Sequence, residues 1–302
     1  MKKLSPAARR EELTGYLWVQ SWFLGFLAFT LFPILAAFYL SFTSWSGRGV
    51  PEWVGLANFR ELFTGDTLFW QSLQVTGVFA ILFLPLSLVL GMGMALLMNQ
   101  RLRGMSVFRT IYYLPSVLSG VAVAVLWQFV FNRDYGVLNW VLDLFGIGPV
   151  NWLQSSFWVV PAIVIMQLWG VGASIIIYLG GLQGIPTELY EVARVDGANS
   201  WHTLRNITLP MMSPVIFFQL VLGVIGTLQI FTQAYIMTGG GPNYGSYFYA
   251  LNIFNTAFTN LRLGYASALS VVLFLIILIV TVIIFKTSRA WVYYAGEKEE
   301  SR

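Results

Sequence analysis

The sequence of 302 residues contains no cysteine, one histidine and only four lysines. Without cysteine the chain can form neither disulfides nor thiolate metal sites. The histidine, His202, lies in a polar stretch, which argues against a histidine zinc site or a Ser–His pair inside a bilayer. None of the lysines follows the glycine pattern of a nucleotide-binding P-loop, so the chain does not bind ATP by that route. We therefore expect no cofactor, no metal and no enzymatic activity.

Charged residues are also scarce, at 10% of the chain, whereas 57% of the residues are hydrophobic and the mean hydropathy is +0.72. This balance excludes an ordinary soluble domain and favours a protein embedded in a bilayer. The net charge of +4 and the pI near 9.3 do not indicate a nucleic-acid partner, because the basic residues cluster at the ends of apolar segments. Such clusters are typical of the headgroup region, where they set membrane orientation.

Six apolar segments are long enough to cross about 30 Å of hydrocarbon at about 1.5 Å per residue. They are Tyr16–Phe42, Val75–Met98, Ile111–Phe131, Phe157–Leu182, Pro214–Met237 and Ala266–Phe285. The first is much longer than the apolar region of a signal peptide, about 7–15 residues, so we interpret it as an uncleaved span with a kink at Pro33. The sequence thus predicts an all-α polytopic membrane protein with six transmembrane helices.

None of the six segments contains Asp, Glu, Lys or Arg. Proton-coupled and ion-coupled carriers commonly keep such a residue inside the membrane, so coupling of that kind has no group to use here. If transport is active, its energy must come from a partner. Two of the polar connectors are predicted to contain short amphipathic helices, at Asn58–Phe63 and around Leu138–Phe145, and we expect the second to rest on the membrane.

Lysine and arginine are distributed unequally between the two sides of the membrane. Six spans place both termini on one side, and that side carries thirteen of these residues: Lys2, Lys3, Arg9, Arg10, Arg101, Arg103, Arg109, Arg194, Arg205, Lys286, Arg289, Lys298 and Arg302. The other side carries Arg48, Arg60, Arg133 and Arg262. By the positive-inside rule, both termini and the 183–213 loop are cytoplasmic in a plasma (inner) membrane protein. We expect residues 1–70 to form the N-terminus, first span and external connector, 71–290 a five-helix core, and 291–302 a cytoplasmic tail.

One polar stretch, Glu188–Pro210, separates the fourth and fifth spans. Pro186 can open a helix there, because its missing N–H costs nothing in a first turn. Gly197 suits the left-handed position that ends a helix, and Ser200 can cap a second short helix that Pro210 ends. The sequence therefore predicts a loop built as helix, glycine turn and helix on the cytoplasmic side.

This stretch resembles the cytoplasmic loop of the inner-membrane permeases of binding-protein-dependent ABC importers. Glu191-Val-Ala193 fills the place of the family's Glu-Ala-Ala, Gly197 follows six residues after the Glu, and Ile207-Thr-Leu-Pro210 closes the motif. In that family the loop is a coupling helix that docks on the ATPase subunit. The resemblance implies this role for Glu191, Val192, Ala193, Asp196, Gly197, Ile207, Leu209 and Pro210. The alternative is an amphipathic helix pair that only lies on the membrane surface.

Further segments resemble the maltose, multiple-sugar and glycerol-3-phosphate branch of that family. They are Gly55-Leu-x-Asn-Phe59, Arg109-Thr-x-x-Tyr-Leu-Pro115, Trp127-x-Phe-x-Phe-Asn132, Gly136-x-x-Asn139 and Thr238-Gly-Gly-Gly-Pro242. The resemblance implies a sugar or oligosaccharide permease working with a second related permease, two ATPase subunits and an extracytoplasmic binding protein. Glycerol-3-phosphate or another polyol stays open as the cargo. A passive channel would also lack ATP and proton sites, but it gives no reason for the glycine-hinged loop.

Polar side chains inside a span are costly unless they face a cavity or another helix. Those of the fourth and fifth spans are uncharged amides and aromatics, which suit the hydroxyls and ring faces of a sugar. The substrate-path candidates are Gln167, Trp169, Gln219, Gln229, Gln233 and Tyr235. Hydrogen bonding between helices explains any one of them equally well, so both interpretations stay open.

Overall fold

The structure is a computed structural model that describes residues 6–100 and 103–293. Within these ranges the regular structure is helical, apart from two short antiparallel strands, β1 (Thr43–Ser44) and β2 (Glu52–Trp53), in which Thr43 pairs with Trp53. Some residues of the topology prediction lie outside the described residues, namely Lys2, Lys3, Arg101, Lys298 and Arg302. The predicted tail is described only as far as residue 293.

The N-terminal helix consists of α1 (Pro6–Phe26), a π-helical turn at Leu27–Leu31 and α2 (Phe32–Leu40). Its part from Thr14 to Leu40 is continuous and apolar over 27 residues. Pro33 follows the π-helical turn and lies in the first turn of α2, where a missing N–H is tolerated. The helix therefore continues past the proline.

The remaining helices follow in chain order. They are α3 (Ala57–Thr64), α4 (Thr67–Met98), α5 (Met105–Val117), α6 (Gly120–Val130), α7 (Val137–Asp143), α8 (Val159–Trp169), α9 (Gly172–Gln183), α10 (Thr187–Val195), α11 (Ser200–Thr203), α12 (Leu209–Leu228), α13 (Thr232–Met237), α14 (Tyr249–Phe254) and α15 (Leu263–Ser288). Two more π-helical turns occupy Leu204–Thr208 and Asn255–Thr259. The two short connector helices predicted from the sequence are confirmed as α3 and α7.

Four helical segments of the described chain are long and apolar enough to cross a membrane: Thr14–Leu40, Thr67–Met98, Ser200–Met237 and Leu263–Ser288. The third of them is interrupted at residues 229–231, within the predicted fifth span. The pairs α5–α6 and α8–α9 raise the number to six if each is one bent span. Their bends are 101° and 49°. The predicted third span is thus sharply broken, because Leu118 and Ser119 have extended backbone between its two halves. Large apolar side chains such as Phe29 and Ile81 are 85% and 74% exposed, as a lipid environment permits.

The chain divides into two compact units, and the first comprises the residues up to Asp66 together with Ile253–Val272. Its connector is held by the buried Asn58, whose side-chain amide donates to the carbonyl oxygens of Ser41 (2.8 Å) and Thr43 (2.9 Å). The Glu61 carboxylate accepts two hydrogen bonds from Arg262, at 2.9 and 2.7 Å. This bond is the main reason that the pKa of Arg262 is raised.

The second unit comprises Thr67–Asn252 and the residues from Leu273 onward. Helix α4 is at its centre and packs against α8, α9 and α12. Two buried apolar clusters form there, one around Phe79, Ile163 and Phe248, and a second around Tyr178 and Met212.

Helix α7 differs from its sequence-based prediction in what its apolar face contacts. Leu138 and Leu142 pack against the first cluster, so these two side chains contact the protein core. The expectation that they rest on the membrane is therefore wrong. Phe145, after the helix, remains 77% exposed. Because i, i+4 residues share one helix side, the same spacing suits a protein core and a membrane surface.

Candidate functional site

The polar loop between the fourth and fifth predicted spans begins with α10. A helix begins here, as predicted, but Pro186 has an extended ψ of 131° and precedes the first turn instead of lying in it, so the helix starts at Thr187. At its other end Gly197 adopts φ +75°, the left-handed conformation that the sequence required. The Gly197 N–H donates to the backbone carbonyl of Arg194 (3.2 Å), and the Ala198 N–H donates to the backbone carbonyl of Ala193 (2.9 Å). These two bonds form a Schellman turn, which satisfies the last carbonyls of α10.

The second half of the loop differs from the prediction in two ways. Asn199, and not Ser200, caps α11, because its side-chain oxygen accepts the N–H of His202 at 2.8 Å. Pro210 does not end the second helix, since it lies in the first turn of α12. The π-helical turn before it shifts the bonding register, so that the Leu209 N–H donates to Leu204. The loop therefore runs without interruption into the long helix that follows.

The side chain of Tyr190 connects the two halves of the loop. Its hydroxyl lies 3.2 Å from the hydroxyl of Thr208, in the π-helical turn. Thr208 is itself buried. Together with the Schellman turn, this bond fixes α10 relative to the start of α12.

The outer surface of the loop combines charge with exposed apolar side chains. Val192 and Val195 are 60% and 87% exposed, and Trp201 is 63% exposed. The predicted coupling residues divide by accessibility. Those accessible are Glu191, Val192, Asp196, Gly197 and Leu209, whereas Ala193 is buried and Ile207 and Pro210 are partly buried. Exposed apolar groups among polar ones are typical of a surface that contacts a partner.

Two of the substrate-path candidates contact each other. The Gln233 amide, on α13, donates to the Gln167 side-chain oxygen, on α8, at 3.3 Å. Both side chains are partly buried. A Cβ placed on Gly120, at the start of α6, would lie 4.0 Å from the Gln233 amide. The bond thus joins α8 and α13, each next to a break, and the start of α6 lies beside it.

The other four candidates are dispersed. Trp169, the last residue of α8, is 40% exposed, and Gln229 is exposed at the break between α12 and α13. Tyr235 is 47% exposed and stacks on Phe231 with ring centroids 5.4 Å apart. Gln219 is buried within α12. Trp169 and Gln229 thus lie next to breaks in the helices, whereas Gln219 lies inside a regular helix.

Two residues beside this contact were not among the substrate-path candidates. The Gln128 amide donates to the carbonyls of Ile236 (3.0 Å) and Met237 (3.1 Å) and so caps the end of α13. The Trp127 ring lies 6.0 Å from that of Trp169, and its buried N–H has no acceptor among the described residues. Gln128 looked like an ordinary residue of an apolar span, and Trp127 was noted only as part of a motif. Only the bend that brings α6 against α13 shows their contacts.

Comparisons with known proteins place the chain among transport proteins. Residues 87–292 match the family described as binding-protein-dependent transport system inner membrane component. The chain is 41% identical to the probable ABC transporter permease protein YesP of Bacillus subtilis, over 99% of this chain and 97% of that protein. It is 34% identical to the trehalose/maltose transport system permease protein MalF of Thermococcus litoralis, over 93% and 95%.

A solved structure shares the fold. It is a bacterial ABC transporter involved in the import of the acidic polysaccharide alginate, and one of its chains superposes with a TM-score of 0.82 at 24% identity, covering 93% of this chain and 96% of that one. At this identity the match concerns the fold alone. It agrees with the helical membrane architecture predicted from the sequence.

Proposed function

The chain belongs to the inner-membrane permease components of binding-protein-dependent transport systems, and we propose that it is the permease subunit of an ABC importer that carries a sugar or oligosaccharide across the plasma membrane. The observation that carries this proposal is similarity over nearly the whole chain to permeases named for trehalose and maltose and for lactose. ATP hydrolysis on separate subunits would supply the energy, since the sequence has no P-loop.

The proposed complex contains a second related permease, two ATPase subunits and an extracytoplasmic binding protein. Within this chain, residues 1–70 would form the peripheral arm, 71–290 the permease core and 291–302 a cytoplasmic tail. Purification of the full-length chain from its native membrane tests this composition. Recovery of an ATPase and a second permease is the expected result. Recovery of the chain with no nucleotide-hydrolysing subunit, from membranes that still accumulate sugar against a gradient, would contradict the proposal.

The loop from α10 to the start of α12 would transmit the energy of ATP hydrolysis. Its exposed valines and its fixed Gly197 turn support a docking role. Val195 and Val50 are both 87% exposed, which makes Val50 a matched control. We expect Val195→Asp to reduce recovery of the ATPase by at least about tenfold, because an unpaired carboxylate would be desolvated in the contact. Equal ATPase recovery from Val195→Asp and Val50→Asp would exclude the docking role.

Docking also requires that the loop face the cytoplasm, as the distribution of basic residues predicts. The sequence has no native cysteine, so single-cysteine variants need no altered background. Val195→Cys should react with an impermeant maleimide only in inverted vesicles, and Val50→Cys only in intact spheroplasts. The opposite labelling pattern would refute the proposed orientation.

The contact between Gln167 and Gln233 would lie on the substrate path. Replacing both residues with leucine distinguishes a path from helix packing, because removing both partners of a hydrogen bond is nearly neutral for folding. On the path interpretation, the double variant inserts normally and keeps its ATPase partner but loses sugar uptake. Normal uptake by the folded double variant would assign the pair to packing.

A further inference from the structure

A cavity of about 580 Å³ lies beside α10 and is separate from the proposed path. It is bounded by the end of α4, the start of α5 and the segment that joins α9 to α10. The lining residues are Asn99, Gln100, Met105, Arg109, Leu182, Gln183, Ile185, Thr187 and Tyr190. Its volume is within the range of small-ligand sites, about 300–1,000 Å³.

The polar groups of this cavity have one electrostatic character. Arg109 supplies a permanent positive charge, and no carboxylate is among the lining residues. Among the other polar side chains, the three amides and the Thr187 hydroxyl have donors for a ligand, whereas the Tyr190 hydroxyl is bonded to Thr208. Thr187 is also the first residue of α10, where the helix dipole favours negative charge. The site is therefore suited to an anion.

The guanidinium of Arg109 has unused donors. One Nη donates to the Met98 carbonyl at 2.7 Å, at the end of α4. The Nε–H is buried and has no acceptor among the described residues, so only the Nη donors remain for a ligand in the cavity. An arginine carries five N–H donors in a planar fork, which matches the oxygens of phosphate in a bidentate contact. A single backbone carbonyl leaves most of this capacity unfilled.

We propose that this cavity binds a phosphate group, with Arg109 as its charged ligand and Thr187 as a neutral donor. Two sources share this chemistry, the phosphodiester of an anionic lipid headgroup and a free phosphate anion. The site goes beyond the transport function, which does not require it. Because Thr187 begins α10 and Tyr190 lines the cavity and bonds Thr208, a phosphate bound there lies against the loop that is proposed to dock on the ATPase.

The test uses the full-length chain with its co-purifying subunits in lipid nanodiscs, without nucleotide. In one arm the nanodiscs contain phosphatidylcholine only, and radiolabelled inorganic phosphate is measured by equilibrium dialysis. In the other arm, electron paramagnetic resonance measures the immobilised fraction of spin-labelled phosphatidylglycerol against spin-labelled phosphatidylcholine. Saturable binding in the first arm identifies a free anion as sufficient, and binding in the second arm alone identifies the lipid headgroup.

Variants relate the binding to this cavity. Arg109→Gln removes the charge, and Thr187→Asp places a carboxylate in the lining while suiting the first turn of α10, so it preserves folding. Each should weaken binding by about tenfold or more, as expected for loss of a charge-assisted contact. Arg103→Gln removes one exposed positive charge outside the lining and should change affinity by less than about twofold. Absence of saturable binding in both arms, or an equal loss in Arg103→Gln, would overturn the proposal.

Discussion

Replacing Gly197 with valine perturbs the loop through its backbone alone. A Cβ added at this residue meets no atom within 4 Å, so no clash contributes. The cost comes from φ +75°, a conformation that costs a residue with a side chain about 1–2 kcal/mol, with β-branched residues among the least tolerant. The loop could relieve this strain by giving up the Schellman turn. The substitution therefore destabilises the loop conformation that is proposed to dock on the ATPase.

An energy of about 1–2 kcal/mol corresponds to a factor of about 5–30 in an equilibrium constant. We therefore expect Gly197→Val to lower the affinity of the permease for its ATPase subunit by up to that factor, and ATP-driven uptake with it. Affinity can be measured by titrating the purified ATPase against the permease in nanodiscs. Membrane insertion should be unchanged, because the residue is exposed and lies outside the spans.

Two control substitutions separate coupling from general strain. Gly55, in the other compact unit, has φ +58° and equally open surroundings, so Gly55→Val carries similar strain away from the loop. Asparagine tolerates the left-handed conformation better than other non-glycine residues, so Gly197→Asn should recover most of the affinity. The reasoning fails if Gly197→Val binds the ATPase as tightly as the wild type, or if Gly55→Val weakens it equally.

Two further predictions concern stability. Asn139 accepts the Trp152 indole N–H at 2.9 Å and the Val150 N–H at 3.1 Å, so Asn139→Leu should lower the free energy of unfolding by at least about 2 kcal/mol in denaturant titrations, because two buried donors lose their acceptor. Asn139→Asp keeps the acceptor, but it turns a buried carboxylate toward the carbonyls of Arg133 and Val150, to which the Asn139 amide donates at 3.0 Å each, so it should cost at least as much. Both side chains of the Glu61–Arg262 pair are nearly half exposed. A double-mutant cycle with glutamine at each position should therefore give a coupling energy of only about 0.2–1 kcal/mol, which decreases in 1 M salt. A larger coupling energy that does not depend on salt would show that the pair is effectively buried.

The sequence was sufficient for features set by local chemistry. Long uncharged segments have few alternatives to helices in a bilayer, which is why the spans could be located. The Gly197 turn was equally predictable, because glycine takes a left-handed backbone without strain. The position of the cap was predicted one residue too late. Asn199 and Ser200 are both good capping residues, and the spacing from the Schellman turn decides between them.

Features that depend on contacts between helices could not be predicted. The bend between α5 and α6 falls after Val117, two residues beyond Pro115, and the apolar sequence continues through it. That bend allows α6 to pack against α13, and with it come the contacts of Trp127 and Gln128. We also predicted from the proline that a helix ends at Pro210. The π-helical turn before it instead lets the helix continue into α12.

The continuity of the loop with its flanking helices suggests how force could reach the membrane. Helix α10 begins four residues after the end of α9, and α11 continues through the π-helical turn into α12. The Tyr190–Thr208 bond links these two connections to each other. The same two helical segments, α8–α9 and α12–α13, carry Gln167 and Gln233 at their far parts, where the segments are broken. A displacement of the loop would therefore act on both sides of that amide contact, and the breaks at residues 170–171 and 229–231 are where we expect the helices to yield.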